Sequence, residues 1–164
     1  MDPKNLHGKF PWITKDGSLD LTRFPIDGVL KQALSNDDQE FRTGLNLLMS
    51  MSGYGRTEAG VFLMGLLVVS DDDWERRITI VEALQGINTK PCADLLFGEL
   101  RRVKSSNTTR RYLAAIIKVL AAMPTELTEA GFESLAQDKS FSQKMRDKFQ
   151  AVLRQDRLGN EFPW

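Results

Sequence analysis

The sequence contains little of what metal-binding or disulfide-stapled proteins need. Among its 164 residues there are one cysteine, Cys92, and one histidine, His7. A single cysteine excludes an internal disulfide, and one cysteine with one histidine cannot supply the ligand cluster of a structural zinc site. A metal site made only of carboxylates is left open by this count. We therefore predict no disulfide, no metal and no cofactor.

A long apolar run and an excess of charge of one sign are missing too. The 22 Lys and Arg residues balance the 22 Asp and Glu residues, so no global field attracts the chain to nucleic acid or to an acidic membrane. The most apolar run, residues 60–69, has about half the roughly 20 residues that cross a bilayer, and it predicts a buried helix. Residues 1–6 lack the basic start and apolar core of a secretory signal. We expect a cytoplasmic protein without a membrane partner.

The sequence also lacks the common motifs of catalysis. It has no Gly-rich phosphate-binding loop and no Gly-x-Ser-x-Gly nucleophile motif. His7 lies in a predicted N-terminal arm, where nothing orients it as a base. Cys92 follows Pro91 near a predicted helix start, a position that can lower a thiol pKa, but a lone buried cysteine is more often inert packing. We predict that the protein is not an enzyme.

What the sequence does contain is an arginine that returns at a nearly constant interval. Arg42, Arg77, Arg111 and Arg146 are 35, 34 and 35 residues apart, and a fixed period in this range is typical of repeat proteins. Four residues before each arginine stands a residue type that caps helix N-termini. These residues are Asp38, Asp73, Asn107 and Ser142. Apolar residues three and six positions after each arginine share one helical face, so each arginine begins an amphipathic helix.

Further helices are predicted between these four. One begins just after Pro25, one covers Glu58 to Val69, and one contains Pro91 in its first turn and continues to Val103. The helix that starts at Asn107 ends before Pro124, and a shorter helix follows at residues 129–136. The pattern thus predicts about eight helices, arranged in pairs with a period near 35 residues.

These residues resemble the HEAT-like repeat family of α-solenoids. The family motif, an Asp followed by an apolar–Arg pair and a small-apolar run, can be read at residues 38–42, 73–86 and 107–120. The fourth copy, residues 142–153, is polar on its outward face, as a terminal repeat should be. The resemblance implies an all-α fold, a short solenoid of antiparallel helix pairs over residues 26–155. It also implies that the recurrent arginines pair with acidic groups or carbonyls of the neighbouring repeat and do not form a binding site.

The two ends of the chain are predicted to be aromatic segments outside the repeats. Residues 1–25 form an N-terminal arm in which Asp16-Gly17 is a favoured turn for a small β-hairpin. Residues 156–164 form a C-terminal tail, and the tripeptide Phe-Pro-Trp occurs both at residues 10–12 and at Phe162, Pro163 and Trp164. The tails either cover the exposed apolar ends of the solenoid, or the second tripeptide anchors another protein or a second copy of this chain.

Charge along the predicted turns gives two further candidate surfaces. The acidic turn Asp71, Asp72, Asp73 carries Trp74, whose presence capping does not explain, and we take these four residues with the C-terminal tripeptide as partner-binding candidates. The basic turn contains four anion-binding candidates. These are Arg101, Arg102, Lys104 and Arg110. Arg110 lies in the first turn of a helix, where the helix dipole disfavours a cation.

The sequence as a whole predicts a non-catalytic protein–protein interaction or scaffold module. Binding of an anion or nucleic acid through the basic turn, residues 101–111, is the alternative. Some HEAT-like relatives are DNA glycosylases or phycobilin lyases, which keeps a small enzyme as a third interpretation, although the glycosylases are larger and more basic than this chain. Fold alone does not choose among these functions.

Overall fold

The computed structural model describes residues 2–158, and the regular structure of these residues is helical. A short 3₁₀ helix at Pro3–Leu6 precedes eight α-helices. Their bounds are α1 Ile26–Ala33, α2 Asp38–Gly53, α3 Thr57–Val69, α4 Trp74–Ala83, α5 Lys90–Arg102, α6 Arg110–Ala121, α7 Thr125–Gln137 and α8 Gln143–Leu158. No strand occurs within residues 2–158, so the all-α prediction is confirmed, and the helices pack as neighbouring pairs consistent with a solenoid-like fold.

The N-terminal caps of the helices match the predicted caps at some positions and differ from them at others. Asp73 caps α4 as predicted, because its carboxylate accepts a hydrogen bond from the Arg76 backbone N–H at 3.2 Å. Ser142 similarly accepts from the Met145 N–H. The predicted cap Asp38 is wrong by one residue, since Asp37 accepts from the Glu40 N–H at 2.9 Å. Asp-Asp offers two equivalent caps, and spacing alone cannot choose between them.

The predicted cap Asn107 is also wrong. Helix α6 begins after Thr109, whose side chain makes no cap hydrogen bond to the helix. The Thr109 hydroxyl donates instead to the Lys104 carbonyl oxygen at 2.7 Å and accepts from the Ser106 N–H at 3.0 Å. These bonds close the loop before α6, so the helix start shifts two residues beyond the expected one.

The helices form two compact units, with the division after Leu84. In the first unit, α2 packs against α1 and α3, and α4 packs against α3 and α2. The predicted stripe residues Leu45, Leu48 and Ile80 are buried in this core. Helices α1 and α2 approach most closely at Gly44, where an added Cβ would lie 2.4 Å from the Ala33 backbone nitrogen.

In the second unit, α7 packs extensively against α8, and α5 packs against α6 and α7. A chain of aromatic rings fills its core. The ring centroids of Phe97 and Phe132 lie 5.2 Å apart, those of Phe132 and Phe149 lie 6.3 Å apart, and Phe141 meets Phe149 edge-on at 5.4 Å. Such tilted and edge-to-face pairs are the favoured aromatic geometries. The single repeat domain over residues 26–155 stays a prediction.

Helix α3 forms where predicted but is buried on one face only. Leu63 and Leu67 are fully buried, whereas Val61, Val68 and Val69 are 61%, 68% and 69% exposed. An all-round apolar sequence indicates a central helix, but α3 packs on α2 and α4 along only one side of its axis. The prediction of a buried helix over residues 60–69 therefore holds for one face and is wrong for the face that carries Val61, Val68 and Val69.

The N-terminal arm folds back at the predicted turn. Gly17 has φ of 87°, and the Thr14 N–H donates to the Ser18 carbonyl at 2.9 Å, giving an isolated antiparallel bridge between Ile13 and Leu19. The Thr14 hydroxyl is the main group that lowers the pKa of the Asp16 carboxyl in this turn.

An arginine joins the N-terminal arm to the helices of the first unit. The Arg56 guanidinium, just before α3, donates to the carbonyl oxygens of Leu21 and Phe24. Trp12 packs edge-to-face on Phe24 with 6.2 Å between ring centroids and is half-buried. Trp12 and Phe24 thus contact each other, and Arg56 links the arm to the helices through backbone carbonyl oxygens.

Candidate functional site

A cavity of the first unit lies where the α1–α2 loop faces the start of α4. It has a volume of about 370 Å³ and is lined by residues of α1, α2, α3 and α4 and of their connecting loops. Part of its lining is formed by the buried core side chains of Phe41, Leu66 and Ile80. We call this cavity the acidic pocket, because its polar rim is dominated by carboxylates.

The apolar part of the acidic pocket extends to the surface. Leu34 is 61% exposed and Val69 is 69% exposed, and both line the cavity. Each lies at the end of its helix, Leu34 just after α1 and Val69 as the last residue of α3. A partner side chain entering the cavity would cover these two groups and remove apolar area from water, which is the usual source of affinity in such clefts.

The rim of the acidic pocket holds three carboxylates and one guanidinium. Asp38, Asp71 and Asp73 face the cavity together with Arg76, an excess of two negative charges. The Arg76 Nη2 lies 3.3 Å from the Asp38 carboxylate, and its guanidinium stacks 4.3 Å above the Phe41 ring. Because Asp38 is largely exposed, this ion pair contributes little stability, about 0–1 kcal/mol. Its main effect is to hold Arg76 across the cavity wall.

The loop that carries Asp71 and Asp73 is fixed by the buried Arg77. This side chain is 2% exposed, and its Nη1 donates to the Ser70 carbonyl at 2.8 Å and to the Ser70 hydroxyl at 3.0 Å. A charged group withdrawn from water is stable only with such partners. The α3–α4 loop, which carries Asp71 and Asp73, is therefore fixed at Ser70 by these hydrogen bonds.

The structure separates the four predicted residues of the acidic turn. Asp71 and Asp73 line the acidic pocket, whereas Asp72 and Trp74 are not among its lining residues. Trp74 is half-buried at the start of α4, with its ring 6.0 Å from the Arg77 guanidinium. Its role as an interface anchor stays a prediction. The other partner-binding candidates, Phe162, Pro163 and Trp164, lie outside the residues that the structure describes.

Sequence reasoning missed Leu34, Phe41 and Arg76 as members of this site. Leu34 and Phe41 are apolar residues in or next to predicted helices and carry no signal of their own, and Arg76 adjoins a recurrent arginine without belonging to the repeat. The pocket requires the end of α1 to lie near the start of α4, and no local pattern in the sequence predicts that proximity. An exposed Leu directly after a helix is too common to be a signal by itself.

The four anion-binding candidates do not act as one basic surface. Arg101 donates to the Asp138 carboxylate at 3.1 Å and to the Ser134 hydroxyl at 3.1 Å, and Arg102 pairs with the buried Glu99 at 2.8 Å. The Ser140 hydroxyl, with a smaller effect of Arg101, lowers the pKa of Asp138.

The other two candidates differ from these paired arginines. Lys104 is exposed beside the loop that Thr109 closes. Arg110 lines a small cavity together with Lys144 and Lys148 of α8. The structure therefore places Arg110 with two lysines that the sequence did not single out.

The recurrent arginines are not equivalent in the fold. Arg77 is buried, Arg146 is half-buried, and Arg42 and Arg111 are exposed. Arg42 lines a shallow cavity of about 290 Å³ between α2 and α4. Arg77 bonds a carbonyl of the preceding loop, which is the kind of contact that the HEAT-like resemblance implies for these arginines.

The groups that catalysis or metal binding would use are occupied or scattered. Cys92 is fully buried, and desolvation raises the pKa of its thiol to about 11, so it stays protonated at neutral pH. His7 Nδ1 donates to the Ile13 carbonyl oxygen at 2.8 Å. No group of three or more His, Cys, Asp or Glu side chains within residues 2–158 is arranged to hold a metal ion.

Among the same residues we find no helix with both the length and the apolar character needed to cross a bilayer.

A buried polar cluster in the second unit was also missed. Glu99 of α5 accepts hydrogen bonds from the Tyr112 hydroxyl and from the Arg102 guanidinium. Its position between apolar neighbours, three residues before Arg102, was the only sequence signal. The cluster joins α5 to α6 and is a packing feature of the core, because Tyr112 is fully buried.

Comparison with known proteins gives no relative. The sequence matches no protein-family model, and neither the curated proteins nor the solved structures include a significant match. The HEAT-like resemblance therefore stays a prediction that rests on the repeat pattern.

Proposed function

We propose that this protein is a non-catalytic protein-interaction module that uses the acidic pocket to bind a peptide segment of a partner. The observation that carries the proposal is the combination, in one cavity of about 370 Å³, of exposed Leu34 and Val69 with an excess of carboxylates on the rim. Its size is within the usual range of ligand-binding clefts. Its chemistry fits an apolar side chain flanked by a lysine or arginine.

Charge complementarity supports this class of partner. The structure gives Asp71 no hydrogen bond or ion pair with another residue in the range 2–158, whereas Asp38 pairs with the Arg76 guanidinium and Asp73 accepts from the Arg76 backbone N–H. A cation on the partner would therefore pair first with Asp71 and gain a charge-assisted hydrogen bond. Such pairs mainly raise the association rate and the specificity, and they weaken as salt is added.

The acidic pocket has more support than the nucleic-acid alternative. Two of the four predicted basic residues, Arg101 and Arg102, already bind carboxylates of the same unit. A phosphate backbone would have to compete with those internal partners. A catalytic function has no comparable observation in its favour, since the carboxylates of the acidic pocket belong to exposed residues.

The test is selection of a displayed random peptide library on the full chain, followed by binding measurements with the enriched peptides. We expect enrichment of an apolar residue next to Lys or Arg. Val69→Ala should weaken binding about three- to tenfold, because it removes apolar contact area. Val61→Ala is the matched control, since Val61 is equally exposed on α3 but does not line the pocket.

The electrostatic part of the proposal has its own pair of variants. Asp71→Asn should weaken peptide binding several-fold and reduce its dependence on salt concentration. Asp27→Asn, at an exposed position of α1, should change neither the affinity nor its salt dependence. Peptides without basic residues, or affinities that respond equally to Val69→Ala and Val61→Ala, would contradict the proposed binding site.

A further inference from the structure

We infer that the second unit contains an anion-binding site for a single phosphate monoester group, in the small cavity between α6 and α8. The cavity has a volume of about 80 Å³ and is lined by Arg110, Lys144 and Lys148 together with the hydroxyl-bearing Ser105 and Ser142. No carboxylate is among its lining residues. We call it the basic pocket. It is distinct from the acidic pocket of the first unit in both residues and charge.

The three cations of the basic pocket are not neutralised by the protein itself. No hydrogen bond or ion pair joins Arg110, Lys144 or Lys148 to another side chain among residues 2–158. This distinguishes them from Arg101 and Arg102, each of which binds a carboxylate. Asp147, which lies between Lys144 and Lys148 in the sequence, is exposed and accepts a hydrogen bond from the Gln143 amide.

The placement of these cations is unfavourable unless an anion joins them. Arg110 and Lys144 lie in the first turns of α6 and α8, where the positive end of the helix dipole repels a cation. Neither first turn contains an acidic residue. Lys144 and Lys148 are four residues apart on one helix face, a like-charge spacing that destabilises helices. A dianion in the basic pocket would offset all three effects.

Hydrogen-bond donors and size restrict the ligand further. The Thr109 side chain does not cap α6, because its hydroxyl is bonded within the preceding loop. Arg110 and Leu113 of the first turn of α6 line the cavity, and no side chain caps this turn. An anion in the cavity would complement the helix dipole, as at the helix N-termini that bind phosphate. The cavity has room for one tetrahedral oxyanion but not for a nucleotide. A phosphate monoester is nearly a dianion at pH 7.5, and three cations favour it over the monoanionic diester of nucleic acid.

The experiment is a titration of the ¹⁵N-labelled full chain with inorganic phosphate and with O-phosphoserine, at constant ionic strength. We expect saturable shifts in the amide signals of the first turns of α6 and α8. Lys144→Gln with Lys148→Gln should weaken binding at least about tenfold. Lys118→Gln with Lys139→Gln is the matched control, because it removes the same charge from exposed positions of the same unit, and it should change affinity less than about twofold.

A thermal measurement gives a second readout. Without phosphate, the Lys144→Gln, Lys148→Gln variant should be at least as stable as the parent chain, because a like-charge pair is removed. With phosphate, only the parent and the control variant should gain melting temperature, since a ligand of the native state stabilises by mass action.

Three results would overturn the inference. They are the absence of saturable shifts, an equal loss of affinity in both lysine variants, and tight binding of a single-stranded oligonucleotide that phosphate does not compete away. The last result would identify an extended polyanion surface instead. None of them bears on the acidic pocket, whose test uses other residues and another ligand.

Discussion

Arg77 shows how one position of a repeat can acquire a separate structural role. The sequence gives it the same spacing as Arg42, yet Arg77 is buried against the Ser70 carbonyl and hydroxyl while Arg42 is exposed. Periodicity predicts that both residues begin a helix, and that prediction holds. It cannot predict burial, because burial depends on which loop precedes the helix. The loop before α4 folds over Arg77, and its carboxylates then form the rim of the acidic pocket.

The two arginines offer a residue-scale prediction with an internal control. Arg77→Ala should lower the free energy of unfolding by about 2–4 kcal/mol, since it leaves the partly buried Ser70 carbonyl without its donor and a cavity in place of the buried side-chain stem. Arg42→Ala should change it by less than about 0.5 kcal/mol, as for most exposed positions. Urea unfolding of both variants measures the difference, and similar values for the two would show that the burial of Arg77 carries no energetic weight.

At the scale of helices, the sequence was most informative where apolar periodicity was long. Helices α1, α3 and α5 begin within one residue of their expected positions, and the stripe residues Leu48 and Ile117 are buried as the spacing requires. The errors fall at caps, where neighbouring Asp or Ser/Thr residues compete for the same backbone N–H groups. Helix α7 also begins four residues earlier than expected, directly after Pro124, because proline favours the start of a helix.

The candidate sites were less predictable than the helices. The sequence named Asp71 and Asp73 for the acidic pocket and Arg110 for the basic pocket. Each site is completed by residues from another helix, such as Leu34 or Lys148, that only tertiary packing brings near. Lys144 and Lys148 belong to the fourth repeat copy, whose outward face is predicted to be polar, and lysines at that spacing usually form such a face.

The contact between α1 and α2 gives an element-scale prediction. Gly→Ala inside a helix ordinarily stabilises it by about 1 kcal/mol. Gly65→Ala in α3 should follow this rule, since no atom lies within 4 Å of its added Cβ. Gly44→Ala should instead destabilise the protein by about 1–3 kcal/mol, because the new Cβ would lie 2.8 Å from the Ala33 Cα and force the helices apart. Thermal unfolding of both variants would show equal shifts only if α1 can move without cost.

At the scale of the whole molecule, each of the two pockets is built within a single compact unit. The acidic pocket uses residues before position 84, and the basic pocket uses residues after position 104. Their opposite charges are invisible in the net charge, because the chain as a whole is neutral. Composition argued against a global field, and the local fields arise only once the chain folds.

This organisation predicts that the two sites bind independently. Val69→Ala should alter peptide affinity without changing phosphate affinity, and the Lys144→Gln, Lys148→Gln variant should do the reverse. Saturating phosphate should change peptide affinity less than about twofold, since sites that share no residue and no structural element are expected to have additive energies. Titration of each ligand in the presence of the other measures the coupling. A reciprocal change of fivefold or more would mean that the sites share a conformational equilibrium.

The close approach at Gly44 also sets a limit on how this sequence can diverge. A smaller residue at position 33 would not make room for a side chain at position 44, because the contacts are with the backbone nitrogen and Cα of Ala33. A substitution at position 33 therefore cannot compensate for a larger residue at position 44. Among descendants that keep α1 packed on α2, position 44 should remain glycine while the helix surfaces around it change freely. A glycine seven residues after a helix-capping Asp would then mark relatives whose remaining sequence has drifted beyond comparison.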